Sequence, residues 1–204
     1  LHNPHIVQIG RIEPAKTVAH YIYPINSITL KTNLLLEFLK ITPTGKVIVF
    51  TRTKHRAKRL WDDLESAKLN ATVLQGNMSQ SQREKVMQGF RAGKIDVLVA
   101  TDIAARGLDI VQLPQVVNFD LPHVPEDYVH RIGRTGRAGK KGRAFTLATR
   151  PDGKFVDAIE QLIGSAIPLL VMPGDAAPVA EFAVGKSEIV GGSDPVEKKP
   201  AAKR

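Results

Sequence analysis

The sequence contains no cysteine, few aromatic residues and no long apolar segment, and each absence narrows what the protein can be. The lack of Cys excludes disulfide bridges and thiolate metal sites, and it is typical of a reducing compartment. Aromatic residues make up only 5% of the chain. No apolar run approaches the roughly 20 residues of a membrane-spanning helix, and no charged and then apolar leader opens the chain. We therefore expect a soluble cytoplasmic protein with no membrane partner and no metal ligands.

Positive charge is in excess over negative charge. Lys and Arg number 29 against 20 Asp and Glu, which gives a formal net charge of +9. Such a balance indicates an anionic partner, with nucleic acid or a phosphorylated ligand favoured. The alternative, charge that serves only solubility, stays open on composition alone. The 204 residues, 43% of them hydrophobic, suit one ordinary domain with a tail.

Composition divides the chain into three parts. Residues 1–16 contain turn formers without a sustained period, which indicates a linker or an N-terminal arm. Residues 17–170 carry the regular patterns of a folded domain. Residues 171–204 are rich in Ala, Pro, Gly and charge and predict a flexible basic tail, which is either a binding extension or an ordinary disordered terminus. The first residue is Leu rather than Met, so we expect a piece of a longer protein.

Strand and helix patterns alternate through the central part. "VAHYIYPI" alternates as a strand does, and "TLKTNLLLEFLK" places Leu30, Leu34 or Leu35, and Phe38 at helical spacing. Short β-branched runs such as "GKVIVF" are typical of strands that are buried on both faces. Strands that alternate with helices imply right-handed βαβ units. We therefore predict an α/β fold in which helices cover both faces of a mostly parallel central sheet.

The loops that follow the predicted strands are polar, and in a parallel sheet ligands bind beyond the carboxyl ends of strands. In "TRTKHR", Thr53 either caps a helix or holds a phosphate. In "GNMSQSQR", Gly76 permits a close backbone approach, and Arg83 in a first helical turn suggests an anion nearby. In "ATDIAARGLDI", an Asp can accept hydrogen bonds from ribose hydroxyls, or Asp and Arg can simply pair with each other.

The stretch "YVHRIGRTGRAG" at residues 128–139 combines positive charge with glycine. Residues 130–143 include six Lys or Arg and no acid. On one helix Arg131, Arg134 and Arg137 would share a face and repel each other unless an anion lay opposite. A solvated basic face is the alternative, although glycines disfavour an uninterrupted helix. The chain has neither a Walker loop nor a dinucleotide fingerprint, so the arginines look like half of a phosphate site.

Four of these segments together resemble a known family. "VIVFTRT", "QSQR", "ATDIAARGLDI" and "YVHRIGRTGR" occur in this order and resemble motifs IV, IVa, V and VI of the second RecA-like domain of DEAD-box RNA helicases. The resemblance covers roughly residues 17 to 165 and is greatest to the bacterial RhlE-like subgroup. It implies a RecA-like three-layer α/β/α fold. It also implies that residues 1–16 are an interdomain linker or arm and that residues 17–170 are the helicase C-terminal RecA-like domain.

The resemblance implies an ATP-dependent RNA helicase and assigns roles to individual residues. Arg134 and Arg137 would be the arginine fingers that stabilise transition-state charge on ATP. The implied nucleotide-binding set is Asp109, which would hold the ribose, with Gly107, Arg134 and Arg137. The set implied for coupling to the other domain is His130, Arg106 and Arg131. The set implied for sequence-independent binding to single-stranded RNA or a short duplex is Thr53, Gly76, Gln80, Arg83 and Thr101.

Segments that the family places in its first domain do not occur in this sequence. There is no "GKT" nucleotide loop, "DEAD" box or "SAT" segment, so ATP with Mg²⁺ would depend on an N-terminal RecA-like domain that holds the metal. We therefore expect this chain alone neither to hydrolyse ATP nor to unwind RNA. Two alternatives stay open: a nonenzymatic basic RNA-binding module, and a helicase domain of another superfamily that acts on DNA. The tail cations could add nonspecific RNA affinity; they are Lys198, Lys199, Lys203 and Arg204.

Overall fold

In a computed structural model of the chain, the described residues form eight parallel strands in one central sheet. The structure describes residues 14–41, 45–108, 110, 112–170 and 189–190. The strands are β1 (Val18–Ile25), β2 (Val47–Phe50), β3 (Ala71–Leu74), β4 (Val97–Ala100), β5 (Gln115–Asn118), β6 (Gly142–Thr149), β7 (Leu169–Leu170) and β8 (Ile189–Val190). Their order in the sheet is β3-β4-β2-β5-β6-β1-β7-β8, and every pairing is parallel. The predicted parallel sheet is confirmed.

Helices connect the strands and cover the sheet. They are α1 (Ile28–Ile41), α2 (Lys54–Ser66), α3 (Gln80–Arg91), α4 (Asp102–Ala105), α5 (Pro125–Ile132) and α6 (Gly153–Ile163), with a 3₁₀ helix at Arg150–Asp152. The Thr53 side chain caps α2 by accepting a hydrogen bond from the Arg56 backbone N–H. Ser79 and Gln82 form a capping box at the start of α3. The helix-capping alternative for Thr53 is therefore confirmed.

The core lies in two layers, one on each face of the sheet. Along β2 the side chains alternate, so that Ile48 and Phe50 join the cluster that contains α3, α5 and α6. Val47 and Val49 join the cluster that contains α1 and α2. This alternation follows from the two-residue period of a strand. The result is the predicted arrangement of a sheet between two helix layers.

Helix α1 differs from its predicted packing. Leu30, which the apolar spacing placed on the buried face, is 47% exposed, whereas Lys31 is 2% exposed and Leu35 is fully buried. The reason is electrostatic, because the Lys31 ammonium lies between two buried carboxylates, those of Asp120 and Asp152. The buried face of α1 therefore includes a charged residue, Lys31, which the spacing of apolar residues cannot identify.

Several expectations concern residues that the structure does not describe. Residues 1–13 lie outside the described part, as do residues 171–204 apart from the backbone of β8. The predictions of an N-terminal arm and of a basic tail therefore stay predictions. Among the described residues, no helix is both long enough and apolar enough to span a membrane.

The described strands are all parallel, and the loops after them consequently meet at one edge of the sheet. The loop after β2 leads into α2, the loop after β4 leads into α4, and the loop after β5 leads into α5. The polar segments "TRT", "TDIAARG" and "DLPHV" therefore lie at this carboxyl edge, where α/β proteins bind ligands. We call it the carboxyl edge below.

Candidate functional site

A concave pocket at the carboxyl edge gathers most of the predicted nucleotide and coupling residues. Its lining comprises Phe50, Asp102, Ala105, Arg106, Gly107, Asp127, His130, Arg131 and Arg134. Four cationic or imidazole side chains thus share one cleft with two carboxylates. We call it the arginine pocket. Arg137 is not among the residues that line it, and Asp109 lies outside the residues that the structure describes.

Arg131 forms the floor of the arginine pocket. It is 2% exposed, and its Nε and Nη2 atoms donate to the two carboxylate oxygens of Asp102 at 2.6 and 2.7 Å. Its Nη1 atom donates to the Asp120 carbonyl oxygen at 2.6 Å and to Asn118 Oδ1 at 3.3 Å. The guanidinium carbon lies 5.0 Å from the centre of the Phe50 ring. A bidentate pair of this kind fixes both partners.

The expectation that Arg131 couples this domain to another stays a prediction, and the geometry indicates that it would act indirectly. A residue that couples two domains by direct contact needs an accessible side chain, whereas the Arg131 guanidinium is enclosed and bonded within this domain. Its acidic partner, Asp102, is the first residue of α4, which the local sequence around residues 130–143 could not reveal. Arg131 therefore positions the pocket by joining α5 to α4 and to the end of β5.

The two other arginines of the stretch do not share a helix face with Arg131. Helix α5 ends at Ile132, with Gly133 as its C-cap, so both arginines lie in the loop that follows. The Arg134 Nη1 atom donates to the Leu108 carbonyl oxygen at 3.0 Å. The exposed Arg137 donates from Nε to the Gly133 carbonyl oxygen at 2.7 Å. The predicted repulsion along one helix is therefore wrong, because the helix stops after the first arginine.

Thr17, just before β1, bonds to the arginine loop, residues 133–141, and to the residue that follows it. Its hydroxyl donates to the Gly136 carbonyl oxygen, and its own carbonyl oxygen accepts from the Gly142 N–H at 3.0 Å. Gly136 has a φ of +67°, and a Cβ at this position would collide with Val18. Only glycine fits both the left-handed backbone and the close approach. The loop that carries Arg134 and Arg137 is thereby attached to the edge of β1.

His130 and Arg106 are the accessible side chains of the pocket. Both are exposed, and Arg106 Nη2 donates to Asp127 Oδ1 at 3.0 Å. The carboxylate partner of Arg106 is therefore Asp127 of α5 rather than a neighbour in its own loop. Ile103 of α4 is 77% exposed at the same edge. The carboxyl edge thus presents an apolar side chain as well as the exposed cations.

The predicted RNA residues fall into two groups. Thr53, Gly76 and Gln80 are exposed, and the Gln80 amide donates to Glu84 at 3.1 Å. Thr101 is 9% exposed and caps α4. Arg83 Nη2 donates to the Ala104 carbonyl oxygen at 2.8 Å, so the partner found for its guanidinium is the α4 backbone rather than an anion. Thr101 and Arg83 hold α4 in place beside the exposed group.

A network of buried charges fixes the loops at the carboxyl edge to the rest of the domain. The Asp120 carboxylate accepts from the Arg52 N–H at 3.2 Å and lies 3.1 Å from Arg56 Nε. Lys31 Nζ donates to the Phe119 carbonyl oxygen at 3.1 Å and lies 3.4 Å from the Asp152 carboxylate. The network thus joins α1 to the ends of β2, β5 and β6. Sequence reasoning did not predict it, because its members lie far apart in the chain.

Burial and pairing shift the pKa values of this network. Burial lowers the pKa of Lys31 below its ordinary value, although the carboxylates of Asp152 and Asp120 oppose that shift. Burial alone would raise the pKa of Asp152, but the Lys31 charge and hydrogen bonds from Thr149 outweigh it and lower the pKa. Asp152 therefore stays ionised in the folded protein at neutral pH.

The described residues offer no obvious site for a metal ion. Within them, no group of three or more His, Cys, Asp or Glu side chains is arranged to hold one. Asp102 and Asp127 line the arginine pocket, but each is bonded to an arginine. The pocket therefore suits an anion such as a phosphate group, whereas a cation would have to be held by other residues.

Comparison with known proteins agrees with this arrangement. Residues 30–139 match the family described as helicase conserved C-terminal domain. The chain is 41% identical over 175 residues to the ATP-dependent RNA helicase RhlB of Vibrio parahaemolyticus. That alignment covers 83% of this chain and 39% of RhlB, so the chain spans well under half of its relative. This relative belongs to the RhlB proteins, and the expected likeness to the RhlE-like subgroup is not confirmed.

Solved structures show the same fold. The Escherichia coli DEAD-box protein SrmB, crystallised with regulator of ribonuclease activity A, matches with a TM-score of 0.73 and 37% identity, over 78% of this chain and 93% of that one. Saccharomyces cerevisiae Dbp5 bound to RNA and ADP BeF3 matches with a TM-score of 0.73 and 30% identity, over 82% of this chain and 44% of that one. The predicted RecA-like fold is confirmed.

The shifted pKa of Asp152 predicts a specific loss of stability in acid. A carboxyl group whose pKa is lowered on folding stabilises the fold above its unfolded pKa, about 3.9. That contribution is lost as the pH falls through the lower folded pKa. In Asp152→Asn we expect a loss of about 3 kcal/mol at pH 7 and a shallower fall in the free energy of unfolding below about pH 4. Urea unfolding at a series of pH values measures both effects. Asp62→Asn, which changes an exposed carboxylate, is the control. The prediction is contradicted if the free energy of unfolding of Asp152→Asn falls with acid as steeply as that of the parent protein.

The buried pair of Arg131 and Asp102 predicts a contrast between two arginines of the same stretch. Arg131→Gln leaves Asp102 without its ionic partner inside the domain, and we expect a loss of about 3–5 kcal/mol in the free energy of unfolding. Arg137→Gln alters an exposed side chain, and its effect should stay within about 0.5 kcal/mol. Urea denaturation of both variants measures the difference. Equal small losses would show that the buried pair does not hold α5 and α4 together.

Proposed function

Because this chain belongs to the helicase conserved C-terminal domain family, in its DEAD-box branch, we propose that it forms one side of a composite ATPase that drives local RNA unwinding. The observation that carries the proposal is the arginine pocket, in which Arg106, His130 and Arg134 surround an open cleft. These cations can contact a phosphate, but the chain has no phosphate-binding loop of its own to hold one. They therefore suit a ligand that another domain holds. An N-terminal RecA-like domain would complete the site.

In this proposal ATP is the substrate, and Arg134 and Arg137 are the arginine fingers. Guanidinium groups stabilise the negative charge that develops on the transferred phosphoryl group. Arg134 lies at the pocket, and Arg137 is exposed on the same loop three residues later. Gly107 lines the cleft without a side chain, which leaves room for a ligand. Asp109 is proposed as the acceptor for the ribose hydroxyls.

The Mg²⁺ ion that accompanies ATP would be held outside the described residues of this chain. The two carboxylates at the pocket already bind Arg131 and Arg106, so they cannot serve the metal without breaking an ion pair. When bound, the ion would neutralise charge on the phosphate oxygens. The residues of this domain would contribute positive charge from the opposite side and exclude water as the domains close.

Domain closure would bury the exposed part of the pocket. His130, Arg106 and Ile103 are the exposed residues that we propose as contacts with the N-terminal domain. Arg131 would act indirectly, because it fixes α4 and α5 relative to each other. A ligand that bridges both domains would favour the closed state by its differential affinity for that state.

RNA would bind along the exposed loops after β2 and β3. Thr53, Gly76 and Gln80 are accessible there, and contacts to the sugar-phosphate backbone from such groups are independent of sequence. Arg83 and Thr101 would support this surface, since both bind to α4. A strand held by its backbone on two closing domains would be bent, and a short duplex would then separate locally.

Replacement of the loop arginines tests this proposal against a nonenzymatic RNA-binding module. In a full-length DEAD-box protein that carries this domain, Arg134→Ala or Arg137→Ala should lower ATP turnover at saturating RNA on the order of 10³-fold, because transition-state charge loses its partner. RNA affinity should be nearly unchanged in filter binding. The exposed Arg59→Ala of α2 is the matched control. Collapse of RNA affinity with intact turnover would instead support the RNA-binding module.

The isolated chain provides a second test. We expect weak RNA binding whose affinity falls steeply with salt, because phosphate contacts release counterions. ATP hydrolysis should be undetectable, since the chain has no nucleotide loop of the Walker type. Robust RNA-stimulated hydrolysis by this chain alone would contradict the composite site. A preference for DNA over RNA would contradict the proposed RNA substrate.

A further inference from the structure

A second surface at the carboxyl edge combines stacked rings with positive charge, outside the arginine pocket. The rings of His123 and Phe155 stack with centroids 5.1 Å apart and an interplanar angle of 22°. The Arg52 guanidinium carbon lies 5.3 Å from the centre of the Phe155 ring, and Lys154 Nζ lies 5.1 Å from it. We call these four residues the stacking surface. None of them belongs to the predicted nucleotide or RNA set.

The stacking surface is accessible. His123, Arg52 and Lys154 are exposed, and Phe155 is half-buried with part of its side chain packed on the core. Among the described residues, Phe155 is the one aromatic ring that stacks on His123, and no described carboxylate forms an ion pair with Lys154. The imidazole and the ammonium therefore face solvent rather than close the core.

Hydrogen bonds fix the surface in place. Arg52 donates from Nε and Nη2 to the Leu121 carbonyl oxygen at 3.3 Å, and its Nη2 lies 3.4 Å from Asp152. These bonds join the loop after β2 to the loops after β5 and β6. A guanidinium held in this way over a ring is preorganised and loses little freedom when a ligand binds.

The surface continues the proposed RNA-binding loop. Arg52 directly precedes Thr53, and its guanidinium carbon lies 5.3 Å from the Phe155 ring centre, so one arginine side chain links that loop to the ring. An RNA strand whose backbone lies on Thr53 would thus pass the stacking surface within a short distance. Positive charge from Arg52 and Lys154 would attract the strand there.

The chemistry of the surface favours a nucleobase over an acidic peptide. The Phe155 ring already contacts His123 and both cations, so the face open to a ligand is the side of the exposed His123 imidazole that is turned away from Phe155. A carboxylate would use the cations but not this imidazole face. A base would stack on it, and the attached phosphate would use the cations. Stacking of bases on aromatic side chains is tolerant of sequence, because every base has a π face. This tolerance matches the sequence-independent backbone contacts proposed for the neighbouring loop.

We propose that His123, supported from behind by Phe155, forms a stacking subsite for one nucleobase of single-stranded RNA, with Lys154 and Arg52 beside the adjoining phosphate. The proposal rests on the proposed RNA-binding function and adds a base contact to backbone contacts. It predicts that one nucleotide position in a bound strand depends on its base, whereas neighbouring positions depend on their phosphates.

An abasic scan in a full-length DEAD-box protein carrying this domain tests the subsite. Fluorescein-labelled oligouridylates, each lacking one base at a successive position, are titrated and followed by fluorescence anisotropy. For the parent protein we expect one position at which loss of the base weakens binding about tenfold. Phe155→Leu keeps an apolar group against the core but removes the ring. It should weaken binding of the intact strand by a similar factor and lose the sensitivity to the abasic position.

Controls separate the subsite from fold and from general RNA binding. His123→Ala should reproduce the loss seen with Phe155→Leu, whereas Phe155→Tyr should retain the abasic sensitivity, and His55→Ala, an exposed histidine of α2, should behave as the parent. Equal melting temperatures exclude misfolding. A scan that is flat, or identical in parent and variants, overturns the subsite while RNA binding itself stands. A parent protein that binds no RNA at all overturns the proposed function, and the subsite with it.

Discussion

Charge neutralisation at the carboxyl edge of the sheet is the constraint on which the rest of the structure depends. Asp120 and Asp152 are nearly buried, and isolated carboxylates in that environment would be costly. Lys31, Arg52 and Arg56 supply the compensating charge. Because these cations come from α1, the loop after β2 and α2, satisfying two acids also fixes three segments. The exposed functional groups are carried on loops that this requirement immobilises.

Hydrophobic periodicity predicted β1 to β6 and most helices, because each is long enough to show its period. It could not predict α4, which has four residues, or β7, which has two. It also misplaced the buried face of α1. Leu30 fits the apolar stripe but is exposed. Lys31 is buried because it pairs with Asp120 and Asp152, which lie about 90 and 120 residues further along the chain. Local patterns carry no information on such partners.

The arginine stretch shows the same limit at the site. Equal spacing of Arg131, Arg134 and Arg137 suggests equal roles, but the structure gives them three environments. The first is enclosed by Asp102, the second lines the pocket, and the third is exposed. Helix α5 ends between the first and second, so their spacing no longer places them on one face. The order of the motifs identified the family. The different environments of the three arginines became visible only in the three-dimensional structure.

The contacts of Thr17 have a consequence for the entropy of ligand binding. A glycine-rich loop of about ten residues would sample many conformations if chain connectivity fixed only its two ends. The entropy lost in ordering such a loop would then lower the affinity of every ligand that binds to it. Here Thr17 bonds to Gly136 within the loop and to Gly142 at its end. Most of the conformational freedom of the loop is thereby lost when the domain folds. A phosphate that arrives later meets arginines whose backbone is already ordered.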